Sequence, residues 1–160
     1  MNNVKFNYII VIIISILLIG CDKVTAPDTV KSEHKIHYEL GILPKIMSMP
    51  AIPLKVKWQL SGDRSLYALL TYSPEDYKFI IENSTPFEVV NNTRLDATFY
   101  RDWLENKIKL NVIYHNDSYE IIGAYDTQPN LFIQAEHSPF VNGSALPLGN
   151  GIILVSLYAM

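Results

Sequence analysis

Several short stretches of this 160-residue chain carry residue types that can do chemistry. His34 and His37 stand in an H-x-x-H spacing. On a helix the two imidazoles would share a face and could hold a metal, whereas on a strand they point apart; the local pattern reads as strand and no third ligand is near. Ser32 and Lys35 have the spacing at which a lysine amine can take a serine proton for acyl transfer, but no companion motif follows. Glu136, His137 and Ser138 put three catalytic residue types side by side, and adjacent residues on a strand face opposite ways. Asp102 and Glu105 lie three apart on a predicted helix and could form an acid/base carboxylate pair, although that spacing also describes an ordinary solvated face. Gly149-Asn150-Gly151 begins like a dinucleotide-binding loop, yet it lacks the third glycine and leads into a strand where a helix amino terminus is required. None of the four histidines, His115 included, has a convincing catalytic context in the sequence. The sequence therefore assigns no catalytic residue, no metal ligand and no cofactor, and leans towards a protein that is not an enzyme.

The elements that must position these residues follow from periodicity. His37 to Leu40 predicts a short first strand, and Pro44, Pro50 and Pro53 predict no regular structure until the alternating run Leu54 to Leu60. Ser61-Gly62-Asp63 then turns into a partner strand, Ser65 to Tyr72. Ser73-Pro74-Glu75-Asp76 is a helix start, with a capping hydroxyl, a proline in the first turn and two carboxylates at the positive dipole end. Tyr77, Ile80 and Ile81 form its expected buried stripe, and Thr85-Pro86 ends it. A second helix is expected from Asp96, carrying the pairs Phe99/Trp103 and Tyr100/Leu104.

Strands are expected over Lys109–His115 and Tyr119–Tyr125 around an Asn116-Asp117 turn, over Leu131–Ala135, and over Ile152–Tyr158, with turns at Asn142-Gly143 and Asn150-Gly151. Ile152 to Leu157 is nearly continuous in apolar residues, which predicts a strand buried on both faces. Trp58 and Trp103 sit in apolar periodicity and are expected in the core; exposed, they would mark a binding patch. The fold class is α+β, a mainly antiparallel sheet of about five to seven strands with two short amphipathic helices packed on it.

The amino-terminal segment reads differently. Lys5 precedes an apolar run from Tyr8 to Ile19 that is too short for the roughly 20 residues a membrane span requires. It ends in Leu18-Ile19-Gly20-Cys21, which resembles the lipobox of bacterial lipoprotein precursors. The resemblance covers residues 1–21 and implies cleavage between Gly20 and Cys21 with lipidation of the Cys21 thiol. It further implies that Asp22, the sorting position, favours the periplasmic face of the inner membrane over the outer membrane. Residues 1–20 are then a signal peptide, 21–32 a polar tether and 33–160 one α+β domain.

The whole chain carries a net charge of −3, which becomes −4 once Lys5 leaves with the leader. No basic stripe is present to follow a phosphate backbone, which argues against nucleic acid as a partner. With its single cysteine committed to lipid, the domain depends on packing alone. The expected function is a non-enzymatic module that binds another envelope protein, as an assembly factor, inhibitor or immunity-type lipoprotein would; the alternative is a small envelope enzyme or small-ligand binder whose site is assembled from separated residues. The membrane, through lipidated Cys21, is the first expected partner. Mass spectrometry of the membrane-extracted protein is expected to find an acylated amino-terminal Cys21, and Cys21→Ser to release the domain or stall the precursor. An intact Met1 terminus would contradict the assignment.

Overall fold

A continuous apolar run suits a strand covered from both sides, and residues 153–157 occupy such a position. The computed structural model describes residues 35–61, 64–88, 92–105, 108–133 and 138–159. The expectations at Gly20, Cys21, Asp22, Ser32, His34, Glu136 and His137 lie outside these residues. Strands β1 (Lys55–Ser61), β2 (Ser65–Thr71), β6 (Phe140–Gly149) and β7 (Ile152–Ala159) form a four-stranded antiparallel sheet in the order β1-β2-β7-β6. Strands β3 (Asn92–Asp96), β4 (Val112–His115) and β5 (Ser118–Tyr125) form a second antiparallel sheet in the order β3-β5-β4. The fold is α+β, with its strands divided between two sheets.

Residues 153 to 157 of β7 are all buried. Ile153, Val155 and Leu157 enter one core with Trp58, Leu66, Ala68 and Leu70, beneath the helices α1 (Leu43–Ile46) and α2 (Pro74–Asn83). Leu154 enters a second core with Leu146, Leu148 and Ile121, covered by the second sheet and by α3 (Ala97–Trp103). At roughly 1.5–3 kcal/mol for each large apolar side chain taken from water, these two cores dominate the stability of the fold. Trp58 and Trp103, each 2% exposed, belong one to each core.

The connections explain the register. β6 turns into β7 through Asn150 and Gly151, whose φ angles of +51° and +79° suit a two-residue hairpin. A side chain at Gly151 would also come within 2.6 Å of the Tyr72 carbonyl oxygen, so the small residue is required twice over. Ser73 Oγ accepts from Asp76 N at 3.1 Å to cap α2, and Asp96 Oδ1 accepts from Thr98 N and Phe99 N at 2.8 and 3.0 Å to cap α3.

Several expectations are corrected. Gly143 is no turn but sits inside β6 beside a bulge, at φ +148°, where a Cβ would collide with the Ser156 carbonyl oxygen. Leu131–Ala135 is not a strand over its described part. Pro129–Leu131 is a 3-10 turn, favoured by a proline at its start, and it delivers Phe132 into the core. His37 makes a single bridge to Trp58 where a strand was expected. Among the described residues there are three short α-helices where two were expected: Leu43–Ile46 is helical although Pro44 was expected to forbid it, since proline is tolerated in a first turn. Of the expected stripe on α2, only Ile80 is fully buried; Ile81 is 37% exposed, since a helix lying on a sheet hides one narrow face.

Tyr72, just beyond β2, is 2% exposed, and its hydroxyl has no hydrogen-bond partner among the described residues. Burial, and then the Asp76 carboxylate, hold its pKa far above the ordinary value for a tyrosine. The folded state keeps this proton more tightly than the unfolded chain. The associated stability is therefore complete below about pH 10 and is lost as pH rises beyond it. Tyr72→Phe is expected to raise stability by about 1 kcal/mol at neutral pH and to flatten the alkaline loss. Urea unfolding at neutral and alkaline pH measures both; a lower midpoint at neutral pH would contradict the account.

Candidate functional site

The residues singled out from the sequence do not converge. His37 stacks on the Trp58 indole, with ring centroids 4.2 Å apart and planes at 15°, so its ring is packed against the core. Ser138 Oγ donates to the Ile46 carbonyl oxygen at 2.7 Å and accepts from Phe140 N at 3.0 Å, a structural role at the start of β6. Asp102 and Glu105 do not share a helix face, because α3 ends at Trp103. The Asp102 carbonyl oxygen accepts from Lys57 Nζ at 3.0 Å, and the same ammonium lies 4.4 Å from the centroid of the Trp103 ring. Lys57 is thus only 8% exposed and ties β1 to the end of α3. His115 stands on sheet β3-β5-β4, where its Nε2 comes within 2.9 Å of Glu120 Oε2, off the line of a hydrogen bond. Arg94 reaches that oxygen at 3.1 Å.

A different set of polar side chains does converge, in a cleft of about 230 Å³ where β3 faces β6 and β7. β2 contributes Tyr67, β7 contributes Ser156 and Tyr158, β6 contributes Ser144, and β3 contributes Thr93. Asp126, just past β5, completes the set. The alternation of each strand explains the placement. Leu66, Ala68 and Leu70 face the first core, so Tyr67 and Leu69 must face the second sheet. By the same rule Leu154 and Ser156 face it together, and register sets Ser144 opposite Ser156 and Tyr67 opposite Ser156 on the other side.

Thr93 Oγ1 donates to Asp126 Oδ2 at 2.8 Å, and Thr93 and Ser156 are each only 8% exposed. Tyr67 meets Tyr158 edge to face at 6.5 Å and packs on Phe99 at 5.0 Å, which gives the cleft aromatic walls. Burial raises the Tyr158 pKa above its ordinary value. The Tyr67 hydroxyl adds to the rise, a hydrogen bond with Ser156 opposes it, and Asp126 adds again. Tyr158 therefore stays a neutral phenol at physiological pH. Arg94 and Asp96 border the cleft, with the Arg94 guanidinium turned towards Glu120. A larger, more open groove of about 610 Å³ beside β5 has a mainly apolar lining and shares Asp126 with the cleft.

The cleft offers donors and acceptors of hydrogen bonds, the two carboxylates Asp126 and Asp96, and aromatic edges. Among the described residues neither histidine lies at it, and no group of three or more His, Cys, Asp or Glu side chains is placed to hold a metal ion. Such an arrangement can hydrogen-bond a polar molecule. Sequence reasoning missed it because its members are scattered from Tyr67 to Tyr158 and none belongs to a motif. The available signal was Tyr67 on the face of β2 opposite its apolar residues and Ser156 within the apolar run of β7. Comparison with family models, with curated proteins and with solved structures gave no match.

Thr93→Val removes the buried donor to Asp126 and is expected to cost about 1–3 kcal/mol. Arg94→Gln breaks an ion pair whose arginine side chain is 61% exposed, and is expected to cost no more than about 1 kcal/mol. Urea unfolding of the two variants tests the ranking; equal losses would contradict it.

Proposed function

We propose that this chain is a lipid-anchored protein of the bacterial cell envelope that binds a small polyhydroxylated ligand of about monosaccharide size without transforming it. The observation that carries this reading is the convergence of five hydroxyl side chains and two carboxylates, brought from five separate stretches of chain, on a single cleft. Sugars are recognised by such groups, because each ligand hydroxyl both donates and accepts, and an apolar ring face packs against aromatic walls. A cleft of about 230 Å³ lies below the ~300–1,000 Å³ typical of larger ligands, which limits the size. With Asp126 and Asp96 at the cleft and Arg94 engaged by Glu120, its charge disfavours anions. The anchor at Cys21 and the Asp22 sorting position place the protein, in this reading, on the periplasmic face of the inner membrane, with the outer membrane as the alternative.

NMR titration with glucose and N-acetylglucosamine, against gluconate and cyclohexanol as anionic and apolar controls, tests the reading. The two sugars are expected to shift the amides of Tyr67, Ser144 and Ser156 with a Kd of about 1 mM, and Ser144→Val to weaken binding about tenfold. No shift with either sugar, or equal shifts with all four compounds, would overturn it. A second reading, a protein partner in the envelope, is supported by β4. This strand lies at the edge of its sheet, and Ile113 and Tyr114 on it are 50% and 58% exposed. Crosslinking in intact envelopes, with Ile113→Glu as the control that loses the adduct, addresses that reading.

A further inference from the structure

The three most exposed large apolar side chains among the described residues are Ile52 at 79%, Tyr38 at 69% and Leu54 at 68%, and Ile42 on the same stretch is 50% exposed. All four lie between residues 35 and 55, the stretch that leads into β1 and covers the outer edge of that strand through the His37–Trp58 bridge. They are not the side chains of a loose tail. Leu43 and Met47 are fully buried, Ser48 N donates to the Phe132 carbonyl oxygen at 2.9 Å, and Leu54 N donates to the Thr71 carbonyl oxygen at 2.6 Å. With the inner side of the stretch pinned to the core, its apolar side chains are held outward.

The charge of the stretch runs against that of the chain. Lys35, Lys45 and Lys55 are exposed, Glu39 is the only acidic residue between them, and the local balance of +2 contrasts with −3 for the whole protein. Rigid exposed Ile, Leu and Tyr side chains interleaved with lysines match an anionic bilayer surface. The aliphatic groups enter the acyl boundary, the tyrosine sits at headgroup depth, and the ammonium groups meet lipid phosphates. This stretch is also the first part of the domain in chain order after the residues that follow Cys21, so a lipid at that cysteine would hold it nearest in chain length. We propose that residues 35–55 form the face on which the domain lies against a membrane containing anionic lipid. The proposal rests on the reading of Cys21 as the anchor. Its consequence is orientation: the acyl chains retain the protein, and the docked face fixes which side of the domain looks away from the bilayer.

The test uses the chain from residue 21 onward with Cys21→Ser, so that no acyl chain contributes, co-sedimented with vesicles of phosphatidylethanolamine and phosphatidylglycerol or of phosphatidylcholine alone. Binding is expected to the anionic vesicles only and to fall in high salt. Lys45→Gln and Lys55→Gln are each expected to weaken it about fivefold. Ile52→Asp combined with Leu54→Asp is expected to weaken it about tenfold or more with an unchanged melting temperature, since both positions are exposed. Absence of vesicle binding, equal binding to both lipid mixtures, or a folded Ile52→Asp/Leu54→Asp variant that binds like the parent would overturn the docking face. So would loss of a crosslinked envelope protein from that double variant when the parent ignores vesicles, because the face would then belong to a protein partner. Mass spectrometry of the native protein keeps the two ideas separate. An unacylated Cys21 with intact vesicle binding overturns the anchor and leaves the docking face; an acylated Cys21 without it does the reverse.

Discussion

Strand β7 has to be covered on both faces, and much of the architecture is the means by which that is done. Its side chains from Ile153 to Leu157 alternate between two cores, so one layer of cover would leave Leu154 or the set Ile153, Val155 and Leu157 in water. The first cover is helical, from α1, α2 and the 3-10 turn that carries Phe132. The second is the sheet β3-β5-β4 together with α3. Because β7 is an inner strand, the glycines around it are constrained as well. Gly151 and Gly143 each bring backbone within contact of a neighbouring strand or its continuation, where any side chain would intrude.

The edges of the central sheet show how the remaining backbone is protected. Among the described residues, β1 is met by a single bridge from His37 and β6 by a single bridge from Thr127, which in turn bridges to Pro86. One bridge at each edge interrupts the row of free amides and carbonyls that would otherwise template pairing with another chain. Pro147 within β6 is tolerated for the same reason, since an edge strand has one side on which its amide is not required. The second sheet keeps β4 at one edge, where Ile113 and Tyr114 are exposed.

The polar cleft follows from the same layering. Where the second sheet packs directly on the first, the facing side chains are Leu69, Leu146, Leu148 and Leu154. Towards β3 the same strand faces continue as Tyr67, Ser144, Ser156 and Tyr158. Buried hydroxyls must be hydrogen-bonded or hydrated, so this end of the interface cannot close as the apolar end does. Thr93 satisfies Asp126, and Tyr158 is tied to Tyr67 and Ser156.

By itself the sequence determined the local elements whose cause is local. The Ser73 and Asp96 caps, the Asn150-Gly151 turn, the alternation of β1 and β2 and the double-sided burial of β7 are each written in neighbouring residues, because capping groups, positive φ and periodicity act over a few positions. The placing of Trp58 and Trp103 in the core came from the same periodicity. Tertiary structure alone decided what depends on partners distant in the chain. It placed Gly143 in a bulge against Ser156, made Pro129 to Leu131 a turn that buries Phe132, and formed β3 from Asn92–Asp96 by pairing it with β5. It also buried Lys57, because the Asp102 carbonyl and the Trp103 ring that receive its ammonium arrive from a helix more than forty residues away. The candidate site belongs wholly to this second class. Its hydroxyls come from Tyr67, Thr93, Ser144, Ser156 and Tyr158, and only the pairing register of β2, β7 and β6 and the packing of one sheet on the other bring them to one cleft.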